Sequence, residues 1–155
     1  MSNEHGPEDL ASGRRPPAPT VELARRLAHE LHDLATVTID DIAGGTSVSV
    51  TPVNPRARAF GWADFVEELV LQVGDYGGRW VLEGGPEDVA FLEDMARSVI
   101  AGRVREVSAP GRSFVSVTLA DGSVETETGY EAPAGCLPLP FWRRRYRTVQ
   151  YASYG

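Results

Sequence analysis

Apolar and polar positions alternate and then change period along residues 67–107, and the rest of the chain is organised around this stretch. Leu69, Leu71 and Val73 alternate with Val70 and Gln72, the period of a strand with one buried face. Asp75-Tyr76-Gly77-Gly78 follows, with glycines able to take the positive φ of a hairpin turn. Residues 79–83 alternate again, with Trp80 and Leu82 on one side, so a β-hairpin is predicted. Gly84-Gly85-Pro86 ends it and opens a helix: proline suits a first helical turn, and Glu87 and Asp88 suit its positive end. Val89, Phe91, Leu92, Met95, Ala96, Val99 and Ile100 then fall on one half of a helical wheel. Glu93, Asp94, Arg97 and Ser98 take the other half, and Gly102 supplies the stop.

Upstream, residues 1–19 are polar, hold four prolines and lack periodicity, which predicts a disordered lead-in before a single domain over 20–155. A second amphipathic helix is expected from Thr20, whose hydroxyl suits an N-cap. Its stripe is Leu23, Leu27, Leu31 and Leu34 with Ala24, Ala28 and Ala35. Residues 37–39 and 47–53 read as strands joined by a turn at Gly44-Gly45, and 54–63 as a connection.

Downstream of the central helix, residues 103–108, 114–120 and 123–130 read as a three-stranded meander. Pro110-Gly111 fits the middle of a type II turn, and Asp121-Gly122 signals a type I′ hairpin. Residues 146–151 offer a last strand. Val48-Ser49-Val50-Thr51 recurs 67 residues later as Val115-Ser116-Val117-Thr118, and the same offset carries Val37 onto Val104 and Gly44 onto Gly111. A duplicated α-β-β unit would give this echo, and so would the Val/Ser/Thr alternation common to amphipathic strands. The expected fold is α+β: one antiparallel sheet of about six to seven strands, with both helices on one face.

Composition adds limits. A chain of 155 residues matches one domain, large enough to bury about 70% of the surface its unfolded form exposes. No apolar run approaches the ~20 residues of a membrane span. The N-terminal residues lack the apolar core of a signal peptide, so a cytoplasmic location is expected. Cys136 is the one cysteine, which excludes an intrachain disulfide. All fifteen cations are arginine, which removes lysine-dependent chemistry. The charge is uneven: residues 137–155 hold four arginines and no acid, so the rest carries −11 against the overall −7.

No catalytic residue, metal site or cofactor is expected. His29 and His32, beside Glu30 and Asp33, lack zincin spacing and face away from the leucine stripe. Neither glycine-rich phosphate loop is present, and Glu87 and Asp88 would repel an anion at the helix start. Cys136 has no evident histidine partner. Nine carboxylates lie between Asp64 and Asp94 against one arginine, Arg79. Glu67, Glu68, Asp75 and Glu83 are therefore the candidate contacts for a basic protein partner. The tail around Arg143, Arg144, Arg145 and Arg147 mixes cations with Phe141, Trp142 and Tyr146, as single-strand nucleic-acid binders do, although the chain as a whole is acidic.

The run GGRWVLEGGPEDVAFLEDMARSVIAGRVRE, with the following FVSVTLADGS, resembles small uncharacterised actinobacterial α+β proteins of immunity-protein type, over roughly residues 36–130. The resemblance implies a protein that binds and neutralises a cognate toxin, and it carries no functional residue over. The expected function is a non-enzymatic binding module that takes a basic partner on an acidic surface. Its rivals are a small enzyme or ligand-binding domain with a pocket between sheet and helices, and a nucleic-acid-associated protein using the arginine tail.

Overall fold

The computed structural model describes residues 17–131 and 146–155. The lead-in expected over 1–19 lies outside the described residues as far as residue 16. Helix α1 (Pro19–Glu30) starts on Pro19, with Ala18 as an N-cap that makes no side-chain bond. Thr20 is therefore inside the helix rather than its cap, and its hydroxyl donates to Oδ2 of Asp64. Leu23, Ala24, Leu27 and Leu31 are buried as the stripe requires. Leu34 is 37% exposed, because the helix ends at Glu30 and the chain turns into a strand.

Among the described residues nine strands form two antiparallel sheets, which corrects the expected single sheet of six to seven. Strands β1 (Ala35–Ile42), β2 (Gly45–Pro52), β3 (Phe60–Phe65), β4 (Leu69–Gln72) and β5 (Arg79–Leu82) pair in chain order as a meander. Strand β3 falls partly in the expected connection. Phe60 and Trp62 point inward two residues apart and stack on one another, the period-2 mark of a strand. The turn between β4 and β5 closes with the amide of Val73 donating to the carbonyl of Gly78, at positive φ.

Gly84-Gly85 breaks the meander. Helix α2 (Pro86–Ile100) then carries the chain about 22 Å at 1.5 Å per residue. That length is why the next strand founds a second sheet and does not extend the first. Strands β6 (Val104–Ala109), β7 (Arg112–Thr118), β8 (Val124–Tyr130) and β9 (Arg147–Gln150) pair in the order β8-β7-β6-β9. The β7–β8 turn is not the two-residue type I′ hairpin, since the turn bond is made by the amide of Gly122, which has positive φ, and spans Leu119 to Gly122. The amide of Gly122 donates to the carbonyl of Leu119, and Leu119 pairs with Ser123, so a type I turn is followed by a left-handed glycine.

Both sheets and both helices share one apolar core, from Leu23 and Leu27 through Trp62 and Leu71 to Met95, Val115 and Tyr154. Helix α1 lies on β1 and β2, and α2 contacts β7, so the helices do not share a face of one sheet. Ser98, placed by the wheel among the polar residues, is fully buried and accepts from Arg103. The positions related by 67 residues hold the same register: Val37 faces Val50 in one hairpin and Val104 faces Val117 in the other. The helix faces do not follow suit, for Leu23 and Leu27 are buried while Ala90 and Asp94 are exposed.

The sheets meet at the β4–β5 turn, which presses onto β7 and β8. The amide of Gly77 donates to the Ser113 hydroxyl at 2.6 Å. A side-chain carbon on Gly129 would lie 1.7 Å from the carbonyl oxygen of Tyr76, so only glycine permits this approach.

Candidate functional site

Among the described residues, two regions gather charged side chains that bear on function. The first is one end of the five-stranded sheet. Ile42 faces Gly45, Gly45 faces Phe65, Asp64 faces Leu69 and Leu69 faces Leu82. The β1–β2 turn, the β3–β4 turn and the exit of β5 are thereby brought to a common end, where α2 also begins. Asp40, Asp41, Asp64, Glu67, Glu68, Glu83, Glu87 and Asp88 are the ionisable residues of these segments, and no arginine lies among them. None of the eight forms an ion pair among the described residues. Two are otherwise engaged: Asp64 accepts from Thr20, and Asp88 accepts from the amides of Gly84 and Gly85. Val66 stands 93% exposed beside Glu67, and Ile42 is 38% exposed. A notch of about 290 Å³ lies between the helix starts, lined by Pro19, Thr20, Asp64, Gly84, Pro86 and Val89.

Glu67, Glu68 and Glu83 share this end. Asp75 does not. It sits on the β4–β5 turn, beyond the far end of β4, whose four residues alone span about 13 Å at 3.3 Å per residue. Sequence spacing hid the separation because a hairpin returns Glu83 to the level of Glu68 and leaves the turn at the far end.

Asp75 belongs instead to the second region, a polar cluster built on an arginine and a buried glutamate. Arg58 donates from Nε to the Val73 carbonyl at 2.7 Å and from Nη2 to Asp75 at 2.9 Å. The same Nη2 lies 3.5 Å from Oε2 of Glu106, whose side chain is 4% exposed. Tyr151 donates its hydroxyl to that oxygen at 2.9 Å, and the guanidinium of Arg58 lies over the Tyr151 ring. Oε1 of Glu106 receives the Asp75 amide at 3.3 Å. Tyr154 fixes the backbone beneath by donating to the carbonyl of Arg58 at 2.7 Å.

Burial lowers the proton affinity of the Arg58 guanidinium, but its bond to Asp75 and the nearby Glu106 outweigh that and raise its pKa. Burial, with the hydrogen bond to Glu106, pushes the Tyr151 phenol up to about 12. Tyr151 therefore acts as a donor at neutral pH. The cluster opens into a cavity of about 570 Å³, further lined by Pro55, Arg56, Ser108, Arg147, Val149 and Gln150. This cavity lies where β9 meets the β4–β5 turn and the segment before β3, not between sheet and helices.

Sequence reasoning missed Glu106, Arg58 and Tyr151. A signal for Glu106 was present: it takes an inward position of β6, two residues after Val104, and the 67-residue offset sets it on Ile39. An acid at an aliphatic position marks a polar group that must find partners.

His29 and His32 are exposed, and Nε2 of His32 lies 2.8 Å from Asp33. Among the described residues no group of three or more metal-ligating side chains is assembled. No helix of the described residues is long and apolar enough to cross a membrane. Cys136 and Arg143, Arg144 and Arg145 lie outside the described residues. No protein-family model matches the chain, and no curated protein or solved structure was found to match it.

Proposed function

We propose that the chain is a non-enzymatic binding module of immunity or inhibitor type, which takes a basic protein partner on the acidic end of its five-stranded sheet. One observation carries this reading: eight carboxylates without a cation surround the exposed Val66 and Ile42. Charge of one sign speeds encounter with an oppositely charged partner, and an apolar centre supplies affinity once water is expelled. The notch between the helix starts offers a seat for one partner side chain. Glu67, Glu68 and Glu83 are the contacts, and Asp75 leaves the set. The resemblance to immunity-type proteins agrees with this role. We also read the two helix-hairpin units as copies of one α-β-β unit, on their shared register.

The test is kinetic. Any basic protein found to be encoded beside this chain's gene is the first partner to assay, by surface binding at several salt concentrations. Its association rate should fall steeply with salt, the Debye length being about 10 Å at 0.1 M. Reversing Glu67, Glu68 and Glu83 to arginine should slow association at least tenfold. Reversing the exposed Asp33, Asp94 and Glu131 should change it by less than about threefold, as expected of remote charges. Equal effects from the two sets would rule the acidic end out.

A further inference from the structure

The cavity beside Glu106 has a charge pattern that partner binding at the acidic end leaves unused, and it lies at the other end of β4. On paired strands β6 and β9, Ser108 faces Arg147 and Glu106 faces Val149, while the amide of Tyr151 bonds the carbonyl of Val104. Side chains two residues apart on a strand point the same way, so Glu106, Ser108, Arg147 and Tyr151 share one floor. Arg56 and Asp75 add one charge of each sign to the lining.

Arg58 holds both carboxylates in place and commits its Nε and Nη2 to the Val73 carbonyl, Asp75 and Glu106. The guanidinium groups of Arg56 and Arg147, in contrast, form no ion pair among the described residues. Oε1 of Glu106 has one long bond, from the Asp75 amide at 3.3 Å, and so keeps accepting capacity. The cavity thus combines exposed guanidinium groups that form no ion pair among the described residues with a buried carboxylate whose Oε1 accepts only one long bond, Oε2 being held by Tyr151 and Arg58. A simple anion would satisfy the arginines and lie against two carboxylates. A simple cation would do the reverse. A molecule carrying both charges satisfies both sets.

We propose that this cavity binds a small zwitterion of the free α-amino-acid class, its carboxylate on Arg56 and Arg147 and its ammonium on Glu106 and Asp75. The volume, about 570 Å³, is within the range of small-molecule sites and leaves room for a ligand side chain. Charge-assisted bonds to both ends of the ligand supply the selectivity: a ligand without the ammonium leaves the buried Glu106 unmet, and one without the carboxylate forgoes the bonds to Arg56 and Arg147.

The full chain, labelled with ¹⁵N, is titrated with each of the common free L-amino acids and, as half-ligands, with acetate and methylammonium. At least one amino acid should shift the Glu106, Ser108 and Gln150 amides saturably, while neither half-ligand does so at the same concentration. Arg147→Ala, at an exposed residue without an ion pair, should weaken that binding at least tenfold and leave the unfolding midpoint in place. Glu106→Gln should weaken it similarly, and if that variant does not fold the Arg147 result decides. The proposal is overturned if no amino acid saturates these amides, if a half-ligand binds as well as the whole, or if Arg147→Ala leaves the affinity unchanged.

Discussion

Tyr151 donates its phenolic hydrogen to Oε2 of Glu106 at 2.9 Å, and this bond is the shortest that the buried carboxylate makes. A carboxylate 3% exposed must recover in hydrogen bonds what it loses in hydration. Its other contacts are Arg58 at 3.5 Å and the Asp75 amide at 3.3 Å. Tyr151→Phe keeps the ring under Arg58 and deletes only the donor. It should cost about 1.5–3 kcal/mol in chemical denaturation, the range for a hydrogen bond to a charged group. A loss under about 0.5 kcal/mol would mean that water replaces the phenol without penalty.

The same bond sets an alkaline limit. An unfolded tyrosine titrates near 10, whereas Tyr151 in the fold is pushed up to about 12 by burial and by Glu106. Burial also raises Tyr154. Between those values the unfolded chain has released a proton that the folded chain still holds, so stability falls as pH rises. The contribution is complete below about pH 10 and is lost as pH passes through the folded value. The urea midpoint should therefore decline from about pH 9.5 to about pH 11.5, and less steeply in Tyr151→Phe. A wild-type midpoint that stays level across this window would contradict the raised phenols.

The central hairpin, both helices and the β6–β7–β8 meander were legible in the sequence, because each carries its own periodicity and a glycine or proline at its joint. Leu92, on the apolar half of the wheel, is fully buried, and Asp94 is exposed as the wheel requires. The division into two sheets was not legible. Strand pairing is a tertiary choice, and alternation does not say which edges meet. Strand β3 was obscured by Pro55 and by arginines at residues 56 and 58, one of which is now the centre of a buried ion network. The acidic end was half legible: Glu67, Glu68 and Glu83 follow from charge density, while the separation of Asp75 needed the fold. The Arg58–Glu106–Tyr151 cluster joins residues 45 or more positions apart, a distance that no local pattern spans.

Gly129 tests how the sheets dock. A methyl group there would approach the Tyr76 carbonyl oxygen to 1.7 Å and the Gly77 nitrogen to 2.7 Å, and both are backbone atoms that cannot rotate away. Gly129→Ala should push the β4–β5 turn off β8 and cost about 1–3 kcal/mol or more, the range for overpacking a filled site. Gly85→Ala is the matched control: no atom lies within 4 Å of the new carbon, and its φ of −70° suits alanine. As an N-cap change without a lost side-chain bond, it should stay within about 0.5 kcal/mol. Equal tolerance at the two positions would show that the turn does not seat against the second sheet.

The helix pair offers a test of what joins the two halves. Arg26 bonds Glu93 at 2.9 Å, and one turn further along each helix Arg97 bonds both carboxylate oxygens of Glu30. Both contacts link positions 67 apart and advance in the same direction, so the helices run parallel and touch at matching positions of the two units. Because α1 lies on β1 and β2 and α2 on β7, this contact ties the first sheet to the second. The Arg97 guanidinium bonded to Glu30 holds that carboxyl below its ordinary range, so the pair contributes above about pH 4.5 and is lost as pH falls through the lowered value. Both side chains are more than 40% exposed, and solvent screening limits the term. A double-mutant cycle on Glu30→Gln and Arg97→Gln should give a coupling of about 0.3–1 kcal/mol at neutral pH. It should shrink in 1 M salt and disappear once pH has fallen through the lowered value of Glu30. A coupling that persisted in acid could not come from the carboxylate, and apolar packing between the helices would then be what holds the halves together.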